Sequence, residues 1–260
     1  MTVPFENDTG NIVRKLARKS LKSEKRRNLM VVIAVALASC LICFSIVMAL
    51  STRQIEKNHV EDTYEAVYTR ITEEDVSTLK GLDDFSRVGE YYMLAVEPAE
   101  QGYNASYIYC DEETMYIARD QMKLLEGRLP QKEDEVVVSR YFLSNYAADA
   151  GIGEKVMLSS ESFHGEYTVT GIMEGYKEKE VNGSSILLSK EALKGWSGYD
   201  PADYRAYVHF KNEQQMDETE LTARSREIAK EYQLEMPIMN LSYMKFYKQP
   251  VNVSMLALVA

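Results

Sequence analysis

Between Leu29 and Leu50 the chain runs for 22 residues without a charged side chain. Ala, Val, Ile and Leu dominate, and the only polar side chains are Ser39, Ser45 and the thiols of Cys40 and Cys43. As a helix rising about 1.5 Å per residue, this run is about 33 Å long and crosses a hydrocarbon core of about 30 Å. It therefore predicts a transmembrane helix over residues 29–50. Val47 and Ala49 resemble the small residues that precede a signal-peptide cleavage site. A signal peptide's apolar region is only about 7–15 residues, however, and the 28 residues ahead of this run are long for its basic leader. A retained anchor is the reading that follows. The mean hydropathy of −0.32 excludes a bundle of spans filling all 260 positions.

Charge divides about this run. Residues 1–28 carry eight Lys/Arg against three Asp/Glu, residues 51–260 carry 22 against 37, and the whole chain is −10. An acidic balance excludes a nucleic-acid-binding surface over the whole chain. The basic flank is expected to stay cytoplasmic, with everything after Leu50 outside. Within that flank Ile12, Val13, Leu16, Ala17 and Leu21 lie near one face of a helix, and Arg14, Lys15, Arg18, Lys19 and Lys22 cover the rest. Together with Arg26 and Arg27 these residues fit a helix lying on the inner membrane surface. Each basic residue contributes on the order of 1 kcal/mol near anionic lipid. The same charges serve as topogenic signals, and the two readings are compatible.

Residues 51–250 form a polar stretch of domain size. Gln54 to Tyr64 reads as an outward continuation of the membrane helix. Tyr64 to Ile71 alternates as a strand, with Tyr64, Ala66, Tyr68 and Arg70 on one face. Thr72 with Asp75 approximates a capping box for a helix to Lys80. Further strands are predicted at Phe85 to Val96, Tyr107 to Cys110, Glu135 to Ser139, Lys155 to Leu158, Glu166 to Glu174, Ser185 to Leu188 and Tyr204 to Phe210. Helices are predicted at Arg140 to Ala150, ended by Gly151, at Lys190 to Gly195 and at Asp217 to Tyr232. Short strands with interspersed helices define an α+β domain. Residues 251–260, VNVSMLALVA, are uncharged and read as the start of a second span, against the alternative of a closing strand.

Catalytic constellations are thin. His59, His164 and His209 have no HExxH or similar ligand spacing, and each reads as surface or strand decoration. Cys40 and Cys43 sit within the span, which leaves Cys110 alone outside it without an intradomain disulfide partner. No G-x-x-x-x-G-K-[ST] occurs, so ATP is not bound through a P-loop. The acidic runs Glu73-Glu74-Asp75, Asp111-Glu112-Glu113 and Glu133-Asp134-Glu135 lack a calcium-loop pattern and read as solvated faces. No cofactor or metal site and no enzymatic activity are expected.

One ordered set of motifs is more specific. Leu124-Leu125-Glu126-Gly127-Arg128-Leu129-Pro130 precedes Glu135-Val136-Val137-Val138-Ser139; Gly151-Ile152-Gly153-Glu154-Lys155-Val156 and Tyr167-Thr168-Val169-Thr170-Gly171-Ile172 follow. Gly127 and Pro130 suit a sharp reversal, Arg128 suits a carboxylate partner, and Gly171 within a strand suggests a bulge or close backbone approach. The set resembles the extracytoplasmic core domain of FtsX-like ABC transporter permeases, the MacB-type periplasmic core domain. The family's pattern is a GRxP turn, an E-(I/V)-V-(I/L) strand, a G-x-x-(V/I)-G turn and a (Y/F)-x-V-x-G-I strand. The third motif departs here, since Gly153 takes the final glycine and Glu-Lys replaces the usual Asp.

The resemblance implies a permease subunit of a bacterial plasma membrane that makes no bonds itself. It implies a separate cytoplasmic ABC ATPase and a second permease copy as partners, with ATP-driven motion passed to the outer domain for export or mechanotransmission. Gly127, Arg128, Pro130, Glu135, Gly151, Gly153 and Gly171 would be fold-defining residues. Family permeases have at least four spans, so the expectation is an N-terminal fragment: basic segment 1–28, span 29–50, outer domain 51–250 and the start of a second span at 251–260. The alternative is a complete single-pass protein with an extracytoplasmic sensing or binding domain.

Overall fold

The computed structural model describes residues 9–23, 25–175 and 178–248. The expected start of a second span, residues 251–260, lies outside the described residues. The chain divides into two compact units between Ile55 and Glu56. In the first, α1 (Thr9–Ser23) carries the basic segment, and α2 begins at Lys25 and runs to Val60, its last turn belonging to the second unit. Over the uncharged run the apolar side chains of α2 are exposed, Leu29, Val35, Leu41 and Phe44 among them. Ser39 and Ser45 donate their hydroxyls to the carbonyls of Val35 and Leu41, one turn back, so neither presents an unsatisfied polar group. Length and composition suit α2 for crossing a membrane.

The second unit contains, in order, β1 (Ala66–Ile71), α3 (Glu73–Lys80), β2 (Phe85–Pro98), β3 (Asn104–Cys110), α4 (Glu112–Ile117), β4 (Met122–Gly127) and β5 (Glu135–Ser139). It continues through α5 (Arg140–Tyr146), β6 (Lys155–Ser159), β7 (His164–Gly175), α6 (Glu178–Val181), β8 (Gly183–Leu188), α7 (Lys190–Gly195), β9 (Tyr204–Phe210), α8 (Glu218–Glu231) and β10 (Ile238–Met239). Leu241–Tyr243 forms a helical turn that passes into a π-helical turn, Met244–Lys248. Among the described residues ten strands make one mixed sheet in the order β10-β1-β9-β2-β3-β8-β5-β7-β4, with β6 also pairing with β7. The β3–β8 and β5–β7 pairs are parallel and the others antiparallel.

Alternation sends side chains to two cores. Val136 and Val138 of β5, Ile186 and Leu188 of β8, and Ala206 and Val208 of β9 join one cluster, under Val76 and Leu79 of α3, Leu193 of α7, and Leu221 and Ile228 of α8. Val137, Leu187 and Tyr207 join the other, covered by Met115 and Ile117 of α4. A sheet buried on both faces explains why its central strands read as unbroken apolar runs.

Several expectations need local correction. The strand expected to keep Tyr64, Ala66, Tyr68 and Arg70 on one face does not: Ala66 and Tyr68 join the larger core, whereas Tyr64 joins the smaller. Arg70 takes a φ of +54° where the β1–β9 register shifts, a bulge that turns it outward. The helix expected to reach Ala150 ends at Tyr146, because Ala147 closes it with an N–H bond to Leu143 O. The continuation expected to Tyr64 stops at Val60, with Asp62 at a φ of +53°. The expected Thr72–Asp75 capping box opens α3, with Glu73, Glu74 and Asp75 in its first turn; Asp111-Glu112-Glu113, read as a solvated face, is a helix start, where Asp111 caps the unforeseen helix α4 by accepting from Thr114 N. Carboxylates in these places oppose the positive end of the helix dipole.

Because both sheet faces are covered, Leu187→Ala and Leu188→Ala should each destabilise the domain by about 2–5 kcal/mol. Urea unfolding followed through Trp196, the only tryptophan, measures both. A negligible loss at Leu187 would mean that its face is not a packed core.

Candidate functional site

Two groups of charged residues tie distant parts of the domain together. The first is the turn after β4. Gly127 has a φ of +83°, and a Cβ there would stand 2.2 Å from Thr170 O, so both conformation and space require glycine. Arg128 then donates two parallel bonds to Glu135, of 2.8 and 2.7 Å, and Gln131 N adds a third of 2.9 Å. The Arg128 bonds, followed by that of Gln131, hold the Glu135 carboxyl down to about 2. Pro130 lies between them and fixes φ through the reversal.

On β7, Thr170 donates its hydroxyl to Arg128 O at 3.2 Å, and a Cβ on Gly171 would come within 2.8 Å of the same oxygen. Thr170 is an extra residue between the β5 pairs Val136–Val169 and Val137–Gly171. Gly153, at a φ of +91°, donates to Val169 O at 2.8 Å, and Gly151 donates to the Glu154 carboxylate at 2.8 Å. The structure thus brings Gly127, Arg128, Pro130, Glu135, Gly153 and Gly171 to the place where β4, β5 and β7 meet, with Gly151 in the turn ahead of β6. These bonds join strand to strand, and the arrangement leaves no nucleophile or base aimed at a common point. Of the basic residues, Arg14, Lys15, Arg18, Lys19 and Lys22 stand exposed on α1, and Arg26 and Arg27 are exposed in the first turn of α2.

The second group was not foreseen. It surrounds the end of α2. Val60 is buried, and Thr63 closes the helix by donating its hydroxyl to Val60 O at 2.7 Å. His59 Nε2 is 3.3 Å from Asp120 O, Arg119 donates to Glu61 O, and the Lys57 ammonium lies 5.0 Å from the centre of the Tyr247 ring. Next to it Glu65, with no exposed surface, accepts from Phe210 N at 2.8 Å and is 2.7 Å from His209 Nδ1. Glu213, 5% exposed, accepts from Tyr243 Oη at 2.5 Å and pairs with Lys248 Nζ at 2.9 Å; Lys248 also donates to Glu213 O. His209, read from sequence as decoration, is a bridging residue.

Burial pushes the Glu65 carboxyl up, against the hydrogen bond from His209. Burial opposes protonation of His209 as well, but the hydrogen bond and charge of Glu65 outweigh it and raise the imidazole pKa. Tyr243 is pushed up by burial and then by its bond to Glu213, so it stays a phenol. No sequence spacing marks these partners. They come from four separated segments, 57–65, 119–120, 209–213 and 243–248, that only the fold brings together. Among the described residues no three His, Cys, Asp or Glu side chains converge as a metal site.

A helix with a 22-residue uncharged run, long and apolar enough to cross a membrane, leads into an α+β domain. The chain belongs to the MacB-like periplasmic core domain family, whose sequence model matches residues 29–226. It is a MacB-like periplasmic core domain of the kind carried by FtsX-like ABC transporter permeases.

Similar solved structures include the following three. The extracellular domain of the noncanonic ABC-type transporter YknZ from Gram-positive bacteria is 15% identical, with 68% of this chain and 100% of that one covered, at a TM-score of 0.48. A domain of a putative permease protein from Porphyromonas gingivalis is 14% identical over 75% and 96%, at 0.47. The periplasmic region of MacB from Actinobacillus actinomycetemcomitans is 11% identical over 71% and 91%, at 0.48. No curated protein matches.

The raised pKa of His209 has a defined sign. Its contribution to stability is complete below the ordinary value of 6.5 and is lost as pH rises through the folded-state value. His209→Gln should therefore destabilise the domain most below pH 6.5, with the gap to the native chain narrowing at alkaline pH. Thermal unfolding across that range measures the gap, and a gap independent of pH would mean that His209 is uncharged throughout.

Proposed function

We propose that this chain serves in a permease subunit that passes ATP-driven motion from a cytoplasmic ABC ATPase to its extracytoplasmic domain, for export or for mechanotransmission. The observation that carries the reading is helix α2. It continues from Lys25 to Val60, through the uncharged run and into the domain, where Lys57, His59, Val60 and Glu61 are all engaged. A helix held in this way at its outer end suits the transfer of displacement better than a loop linker would.

The Lys/Arg excess before residue 29 supports a cytoplasmic N-terminus in a bacterial plasma membrane, with residues 51–250 outside. Arg14, Lys15, Arg18, Lys19, Lys22, Arg26 and Arg27 then face the headgroups of the inner leaflet. A second permease copy completes the assembly, as in the dimeric arrangement that the family resemblance implies. The chain makes and breaks no bonds in this role. The glycine, arginine and proline residues of the turn after β4 keep the outer domain a single body under load.

The test uses the tagged full chain purified in detergent from its native membranes. An ABC ATPase should accompany it, and ATP with vanadate should change protease cleavage of the outer domain. Four glycines inserted after Ile55 interrupt α2, since each disfavours helix by about 1 kcal/mol. That variant should retain the ATPase and lose the nucleotide-dependent change. Recovery of the chain without an ATPase would instead favour the single-pass sensing protein.

A further inference from the structure

Asn182 fastens three separate segments of the domain, and the residue after it is glycine. It follows α6 with a φ of +46°, the left-handed conformation that ends a helix and that asparagine accepts more readily than most residues with a side chain. Its side-chain amide is held at both ends. Oδ1 accepts from the Tyr141 and Tyr146 hydroxyls of α5, at 3.3 and 3.2 Å, and Nδ2 donates to Gly102 O at 3.0 Å. Its backbone carbonyl accepts from Asn104 N at 3.0 Å, where the β3–β8 pair begins. Tyr146 is itself fixed, its ring centre 4.5 Å from that of buried Tyr103. Asn182 thus ties residues 99–103 to α5 and to the start of β8.

Asn182-Gly183 is also the only Asn-Gly pair in the sequence. An asparagine amide followed by glycine is open to attack by the next backbone nitrogen, because glycine has no Cβ to crowd the approach. That nitrogen is not committed to the sheet. Asn104 lies in register with Gly183 but donates to the carbonyl of Asn182, as a parallel pair requires, so β3 leaves the Gly183 N–H unused. On the other side, β5 pairs with β8 only from Ile186 to Leu188. Asn182 is exposed, so water reaches it.

We propose that Asn182-Gly183 is a self-modification site, held closed in the folded domain by the clamp of Tyr141, Tyr146 and Gly102. When the clamp opens, Gly183 N attacks Asn182 Cγ. The N–Cγ bond forms, the Cγ–Nδ2 bond breaks, and the amide group leaves as ammonia with the proton that Gly183 N gives up. Water then adds to one carbonyl of the resulting succinimide and leaves aspartate or isoaspartate at 182. Either product lacks the Nδ2 donor to Gly102 O and brings a negative charge to that oxygen. Isoaspartate also adds a methylene to the backbone ahead of β8. The residues that hold the 99–103 loop therefore set how fast the chain loses that hold.

The test incubates the full chain in detergent at mildly alkaline pH, beside the same chain unfolded in guanidinium chloride. Peptide mass spectrometry and isoaspartyl methyltransferase labelling follow residue 182. Conversion is expected in both samples, at least about tenfold slower in the folded chain, where the clamp has to open first. Tyr141→Phe with Tyr146→Phe keeps both rings and removes two of the three hydrogen bonds to the amide. That variant should convert several-fold faster than the native folded chain, with Trp196 fluorescence reporting that the domain is still folded. Should it unfold, Tyr141→Phe alone, which leaves the Tyr146 stack in place, carries the same comparison. Gly183→Ala should slow conversion in the unfolded chain. Equal rates in the folded and unfolded native chain would overturn the clamp, as would an unchanged rate in the folded tyrosine variant. Conversion of Gly183→Ala at the native rate, or none at 182 even in guanidinium chloride, would overturn the site itself.

Discussion

Glu65 is the residue on which the base of the domain turns. Its side chain has no exposed surface, yet its polar atoms are all engaged: Oε1 with His209, Oε2 with Phe210 N, its N–H with Val208 O, and its carbonyl with Asn240 N. A buried carboxylate lacking such partners costs several kcal/mol or gives up its charge. Satisfying Glu65 therefore brings the residues just past α2, the end of β9 and the segment after β10 into one place. Glu213 repeats the arrangement one layer away, joining Tyr243 and Lys248 to the turn that follows β9. Because Glu65 and Glu213 are both buried, losing His209 or Lys248 leaves a carboxylate without its cationic partner.

A junction built in this way suits the transfer of motion proposed for the domain. Around it the sheet is packed on both faces, and ion pairs cross between layers rather than decorating the surface alone. Lys190 of α7 reaches Glu90 of β2 at 2.6 Å and Glu73 of α3 at 2.7 Å, while Arg128 closes on Glu135 at the far side of the sheet. Membership in a family of permease domains gives this construction its context. The buried polar groups described above hold segments of the domain together.

Much of this was legible in the sequence. The uncharged run, the basic flank, the Thr72 capping signal and the apolar strands of β5, β8 and β9 follow from local periodicity and charge. The turn after β4 could be read as a reversal with an arginine in need of a carboxylate, but not which carboxylate. Asp111-Glu112-Glu113 was misread because an acidic run has the same composition on a solvated face as at a helix start; Thr114, whose backbone N–H Asp111 caps, decides between them. Arg70 fitted the alternation until a bulge, invisible without the partner strand, turned it outward.

The sequence by itself determined a helix long and apolar enough to cross a membrane with a basic flank, an acidic α+β domain after it, and a family motif, because hydrophobic length, charge balance and glycine–proline turns act over a few residues. Only the tertiary structure decided that His209 bridges to Glu65, that Lys248 pairs with Glu213, and that Asn240 ties the segment after β10 to Tyr64 and Glu65. Those relations join residues separated by as many as 176 positions, as between Tyr64 and Asn240. They exist only once strand order and register have set which chain segments meet.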